Sequence, residues 1–204
     1  MWTPPAGPTV VPVNKNHLAL LATDDWRNVL RDLIFPFAFK GAEPSDLGDD
    51  AIEVGPGPGL TTDLLLARIQ RLTAIELDAD LADALSARTD PARVTVVHGD
   101  ATAMPFEAGR FSGAACFTML HHVPDAAGQD RLFTEVCRVL RPGGVFIASD
   151  SVANDELAAF HEDDIYNPVD PATLEARLYR AGFDRVGVRV VPDRAWAVRA
   201  FKPA

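Results

Sequence analysis

An α/β fold, built on a doubly wound, mostly parallel sheet of seven strands that ends in an antiparallel hairpin, is predicted by three features of this chain. Short apolar runs alternate with helical patterns from residue 50 to about residue 181. A glycine turn, Gly55-Pro56-Gly57-Pro58-Gly59, follows the first of those runs directly. The last two runs, 185–191 and Ala195–Phe201, are separated only by Pro192-Asp193-Arg194, too short for the crossover that parallel neighbours need.

Each element has its own warrant. The first dozen residues carry Pro4, Pro5, Pro8 and Pro12 and read as an extended or mobile arm. Residues 16–22 and 24–35 read as helices, because Trp26, Val29, Leu30, Leu33 and Ile34 recur at three-to-four spacing, Thr23 or Asp24 can cap, and Pro36 interrupts. Arm and helices form an N-terminal lid over 1–45, and a polar linker at 41–50 leads into a core over 46–204, one structural domain overall. Strands are expected at 50–54, 71–77, 93–98, 111–118 and 145–149. Helices are expected at 60–67, 79–87 and 129–140, the last with Leu132, Phe133, Val136, Val139 and Leu140 on one face. Leu140-Arg141-Pro142-Gly143-Gly144 ends that helix with glycine chemistry, and Pro171 opens a final helix that stops before Gly182.

The glycine turn sits between a strand and a helix, where the chain reverses and a ligand approaches bare backbone. A dinucleotide would place its pyrophosphate on the free N–H groups of the helix start. Pro56 and Pro58 remove two such donors, and Glu53 at the strand end would repel phosphate while suiting an ammonium or a sulfonium. Leu60 stands where the dinucleotide fingerprint needs its third glycine, and no Gly-Lys-Ser/Thr follows to make a P-loop. Glu76, 21 residues after Gly55 and at the end of the second apolar run, is placed to accept both hydroxyls of a ribose. Asp78 and Asp80 read instead as complements to the dipole of the helix that follows.

Composition narrows the function classes. The 204 residues suffice for one sizeable core and carry a net charge of −10. Only Lys15, Lys40 and Lys202 supply lysine, so no contiguous basic face exists and nucleic acid is not expected as a partner. Cys116 and Cys137 lack metal-ligand spacing, neither reads as a nucleophile, and so small a number fits a reducing compartment. No signal-peptide pattern and no apolar run long enough for a membrane span is seen, so a cytoplasmic location is the expectation.

Taken in order, these motifs resemble the class I S-adenosylmethionine-dependent methyltransferases, in their small, minimal-core, type 11-like branch. The resemblance covers residues 47–202. It implies a Rossmann-like fold and S-adenosyl-L-methionine as cofactor. It assigns Glu53 to the neighbourhood of the methionyl amino group and Gly55, Gly57 and Gly59 to the turn beneath the cofactor. It further assigns Glu76 to the ribose, Leu77 to a face of the adenine, and Asp100 with Ala101 to adenine recognition. Phe117 and Thr118, with Leu120-His121-His122-Val123, are similar to the family's fourth motif, which borders both the methionyl end and the acceptor. One departure is visible: the fourth strand usually opens Phe-Asp in this family, and here Phe111 is followed by Ser112-Gly113.

Methyl transfer from a sulfonium needs no nucleophilic side chain, but a hydroxyl or protonated-amine acceptor must lose a proton, and His121 or His122 is the candidate base. The competing reading of both histidines is structural. Trp26, Phe35, Phe37 and Phe39 could line an apolar lid for a small hydrophobic acceptor, or simply dock the helices on the sheet. His161-Glu162-Asp163-Asp164 reads as a solvated turn, so no metal site is expected, and 152–167 reads as a mobile loop on the substrate side. Two other classes stay open: a non-catalytic cofactor-binding or scaffold protein, and an NAD(P)-dependent oxidoreductase. The identity of the acceptor and the oligomeric state are left open by these residues.

Overall fold

The computed structural model describes residues 19–21 and 23–204; the Pro-rich arm and most of the expected helix at 16–22 lie outside the described residues. Seven strands form one sheet: β1 (Ala51–Val54), β2 (Leu72–Glu76), β3 (Val94–His98), β4 (Phe111–Phe117), β5 (Leu140–Ser151), β6 (Asp184–Val191) and β7 (Ala195–Phe201). Their order is β3-β2-β1-β4-β5-β7-β6. The first five run parallel, and β7 is antiparallel to both β5 and β6, as the short hairpin turn requires. The strand order reverses between β1 and β4, so their carboxyl ends open a crevice of the kind that holds ligands in wound sheets.

Helices α1 (Asp24–Val29), α2 (Phe35–Ala38), α3 (Leu60–Leu66), α4 (Ala79–Arg88), α5 (Ala126–Val139), α6 (Asp155–Phe160) and α7 (Pro171–Arg180) surround the sheet. Side-chain alternation along the strands builds a core on each face. Ile52, Cys116, Phe146 and Trp196 join Phe133 of α5 and Leu174 and Leu178 of α7 on one side. Ala51, Phe117, Ile147 and Ala197 meet Phe35, Phe39 and Leu65 on the other. The second cluster carries the N-terminal helices, so the lid segment and the sheet share one core. Among the described residues, no helix is long and apolar enough to cross a membrane.

Several boundaries differ from the sequence expectation for physical reasons. Pro36 does not end the first helix; the turn before it, Leu30–Ile34, widens into a π-helical turn in which the Phe35 N–H reaches the Leu30 carbonyl. A proline ring collides with the carbonyl four residues back, and the wider turn gives it room. Strand β5 takes in the glycine turn as well, because Gly143 N–H donates to the Lys202 carbonyl and Lys202 N–H to Gly144. The Lys202 ammonium meanwhile closes α5 by donating to the carbonyls of Arg138 and Leu140. The expected linker at 41–50 is packed structure: Pro44–Leu47 form a 3₁₀ turn, and Leu47 is fully buried.

Ser112, the departure from the family pattern, does the fastening at that turn. Its hydroxyl lies 2.7 Å from the Leu47 carbonyl and accepts from the Asp50 N–H at 3.0 Å, tying the entry of β1 to β4. Gly113 beside it is required by space, since a Cβ there would stand 2.5 Å from the Leu47 carbonyl oxygen. On β1, the buried Glu53 ties the strand to the helix after the glycine turn, accepting from the hydroxyls of Thr61 and, at 2.6 Å, Thr62. Burial pushes its carboxyl up to about 7, against the opposing pull of the two threonine bonds.

Two outcomes follow from this packing. Gly113→Ala should lower stability by about 1–3 kcal/mol, read as a lower urea midpoint at unchanged slope, because backbone rather than a flexible side chain must give way. A carboxyl held near 7 in the folded chain and near 4.5 when unfolded binds its proton more tightly when folded. It therefore favours folding at low pH, and that contribution, of order 3 kcal/mol, is lost as pH rises from about 4.5 through about 7. Relative to Glu53→Gln, the wild-type chain should lose stability between about pH 5 and 8 in urea titrations; parallel pH curves for the two would contradict the raised carboxyl.

Candidate functional site

The carboxyl ends of β1, β2, β3 and β4 converge on a cavity of about 670 Å³. Its floor is the glycine turn, its sides are the loops after β2 and β3, and it is bordered by the turn after β4, the start of α5 and the N-terminal helices. Gly55, Pro56, Gly57 and Pro58 all line it, and with two of the four being prolines the backbone offers few N–H groups to an anion.

The three glycines have different jobs. Gly55, Gly57 and Gly59 all have positive φ, which favours glycine. A Cβ on Gly57 would meet nothing within 4 Å, so at this position the bare backbone faces the open cavity. Gly55 is made necessary by Met119, whose Cγ would lie 2.2 Å from an added Cβ. Gly59 does not line the cavity; a side chain there would run into Leu85 and Arg88 of α4. Arg88, unremarked in the sequence, donates to the carbonyls of Pro58 and Gly59 and pairs with Asp63 at 2.9 Å, bracing the turn from behind.

Glu76 ends β2 inside the cavity and binds both neighbouring loops. One carboxylate oxygen accepts from Gly57 N–H at 2.9 Å and the other from Asp78 N–H at 3.0 Å. Burial pushes its carboxyl up, and these backbone bonds pull it back down. Leu77 is half exposed against the same space. Asp78 caps α4 by accepting from Leu81 N–H, the dipole role expected of it, and also borders the cavity. Asp100 and Ala101 line the wall after β3, where the Asp100 carboxylate accepts from Thr102 N–H at 2.7 Å.

At the end of β4, Phe117 reaches the cavity with its other face packed on Phe35 and Phe39, ring centroids 4.8 and 5.9 Å away. Thr118 follows with φ of +50°, a conformation that costs a β-branched residue energy and that places it on the lining. Its N–H donates to the Ser149 carbonyl, which holds the strained turn against β5.

Some expected site residues stand elsewhere. Glu53 is 1% exposed and lies behind the lining; Thr61, which donates to it, is the residue that faces the cavity. His121 is also behind the wall, with Nδ1 2.7 Å from a carboxylate oxygen of buried Asp150, while His122 lines the cavity. Phe35 and Phe39 dock the helices rather than line a lid, and Phe37 packs beneath the Arg189 guanidinium; Leu21, Trp26 and Leu30 provide the apolar wall instead. Residues 152–167 contain α6 rather than a bare loop, and His161 at its end is 4% exposed, not part of a solvated turn. Burial pushes the His161 imidazole down and raises both cysteine thiols, so neither cysteine carries a ready thiolate.

Sequence reasoning did not single out the start of α5. Asp125, Gly128, Arg131 and Leu132 all border the cavity because the turn after β4 carries the helix N-terminus across its mouth. Among the described residues, the charged side chains of the lining are the acids Glu76, Asp78, Asp100 and Asp125 and one arginine, Arg131. Such a lining disfavours a pyrophosphate and suits a cationic, phosphate-free nucleoside.

Comparisons with known proteins agree with this reading. Residues 52–148 match the family model described as methyltransferase domain, type 11. A protein of Mycolicibacterium smegmatis named as a probable S-adenosylmethionine-dependent methyltransferase is 34% identical over 102 residues, covering 50% of this chain and 38% of that protein. Ribosomal RNA small subunit methyltransferase A of Dechloromonas aromatica is 43% identical over 58 residues, 28% of this chain and 23% of that one. The chain thus spans well under half the length of these curated relatives. Among solved structures, the PH0226 protein of Pyrococcus horikoshii superposes with a TM-score of 0.71 at 16% identity, covering 90% of this chain and 94% of that chain. An S-adenosylmethionine-dependent methyltransferase of Mesorhizobium loti gives 0.67 at 16% identity, covering 81% and 96%. These two show the shared fold. The family match, on a sheet whose switch-point cavity is floored by the glycine turn and closed by Glu76, places residues 52–148 in the methyltransferase domain family, of the class I, S-adenosylmethionine-dependent kind whose cofactor is S-adenosyl-L-methionine.

Proposed function

We propose that the chain transfers a methyl group from S-adenosyl-L-methionine to a small, hydrophobic metabolite by in-line displacement. The observation that carries this is the composition of one cavity: an acid-lined crevice over the glycine turn, continuous with an apolar wall of Leu21, Trp26, Leu30 and Ile165. In this reading Glu76 accepts ribose hydroxyls, Leu77 and Asp100 receive the adenine, and the Gly55–Gly57 backbone with Thr118 holds the methionyl end, which is supported by all of them lining the one cavity. The cofactor supplies an electrophilic methyl on a positively charged sulfur with a neutral leaving group. Alignment and exclusion of water then account for most of the acceleration, and no side chain need act as a nucleophile.

The proton and orientation roles divide unequally between the two histidines. His121 is held by Asp150 behind the wall, so it can act on the acceptor only through its neighbours. His122, on the lining, can hydrogen-bond a polar group of the acceptor directly. A ribosomal RNA acceptor, the substrate in the name of several relatives, is disfavoured by the net charge of −10 and the carboxylates around the cavity.

Calorimetric titration of the chain with S-adenosyl-L-methionine, its demethylated product and NAD, followed by a methyl-release assay on panels of apolar metabolites and of RNA, tests the proposal. Binding of the first two and turnover on a metabolite is the expected result; binding of NAD alone, or turnover on RNA alone, would sink it. Glu76→Ala should weaken cofactor binding by about ten- to a hundredfold, since it removes a buried acceptor and frees two N–H groups. Trp26→Ala should raise the acceptor KM by about tenfold and leave the cofactor Kd nearly unchanged; equal losses in both would show that the aromatic wall belongs to the cofactor rather than the acceptor.

A further inference from the structure

Three imidazoles from two separate segments of the chain meet beside the cavity. His121 and His122 come from the 3₁₀ turn after β4, and His161 from the end of α6. Their ring centroids are 4.2, 4.9 and 5.4 Å apart, and one nitrogen from each falls within 4.8 Å of the others.

The groups around them have the form of a ligand shell. His121 Nδ1 lies 2.7 Å from the Asp150 carboxylate, and His161 Nδ1 lies 2.7 Å from the Leu157 carbonyl. A carbonyl can only accept, so His161 Nδ1 carries the proton and its Nε2 keeps the lone pair. The carboxylate fixes His121 in the same tautomer, the arrangement in which outer hydrogen bonds aim histidines at a metal. Asp164, whose side chain is buried, stands 3.7 Å from His122 Nδ1. The two buried carboxylates, Asp150 and Asp164, would balance the charge of a divalent cation at the centre of the cluster.

We propose that His121, His122 and His161 form a binding site for a zinc-class divalent cation, fastening α6 and the chain after it to the turn that follows β4. Imidazole donors select zinc or a similar transition metal over magnesium or calcium, which favour oxygen. Tetrahedral zinc at roughly 2.0–2.1 Å from each nitrogen sets the donors about 3.4 Å apart. The donors, within 4.8 Å of one another, would close by up to about 1.4 Å to reach that spacing. Because His122 also lines the large cavity, the cation would stand in the wall on that side and set the position of this imidazole. The site stands whether or not the chain transfers methyl groups.

The test uses the full chain without an affinity tag, dialysed first against zinc chloride and then against metal-free buffer, with bound zinc measured by elemental analysis. About one zinc per chain is expected, with a melting temperature that falls on addition of EDTA. In His161→Gln and His161→Leu the retained zinc should fall by more than about tenfold, while His98→Ala, which alters an exposed histidine on β3, should retain it. A chain that retains no zinc, or a His161→Gln chain that retains as much as the wild type, overturns the proposal. Circular dichroism on each variant reports folding, and cofactor calorimetry on the same samples reports the methyltransferase reading separately.

Discussion

The carboxylate of Glu76 is the point on which the cavity depends. It sits at the end of β2 and accepts from one N–H of the glycine turn after β1 and one N–H at the entry to α4. Two loops are thereby held at a single spacing by an acid that also lines the cavity. Burial raises its carboxyl while the two backbone bonds oppose that rise. A group held in this way needs little further ordering, because its position has already been set during folding. Arg88 completes the frame from the far side by bonding the carbonyls of Pro58 and Gly59.

The other half of the cavity is positioned by contacts that cross the sheet. Phe117 lies between the cavity and the rings of Phe35 and Phe39, so the N-terminal helices are part of the core, and among their described residues Leu21, Trp26 and Leu30 line the open space. Arginines from the terminal hairpin hold those helices in place: Arg189 donates to the carbonyls of Phe37 and Ala38, and Arg199 to Gly41. The antiparallel pair at the end of the chain thus sets the geometry of the wall made near its beginning. A strained Thr118, anchored to β5, carries the chain from β4 toward the two histidines.

Much of the fold was legible because it rests on local chemistry. Alternating apolar runs, the glycine turn and the short final hairpin each declare themselves within a few residues, and the strands lie within a few residues of their expected places, apart from the longer β5. What was misread involves partners distant in sequence. Pro36 is a helix breaker by itself, yet the packing of the rings around it sustains a π-helical turn. The glycine turn before β5 reads as a loop until Lys202 and its neighbours pair with it. The run His161-Glu162-Asp163-Asp164 reads as a solvated turn, but His161 packs inward against the histidines after β4.

By itself the sequence determined the seven-stranded sheet with its final hairpin and the glycine turn after the first strand, because apolar runs, proline and glycine act on the backbone locally. Only the tertiary structure decided which of the candidate site residues face the cavity. Glu53 and His121 are turned behind the wall by Thr61, Thr62 and Asp150, while Asp125 and Arg131 are carried to its mouth by a helix start. The physical reason is that a buried polar group must find its hydrogen-bond partner wherever folding places one. For Glu53 that partner lies 8 residues away and for His121 it lies 29 away, and the second distance has no local signature.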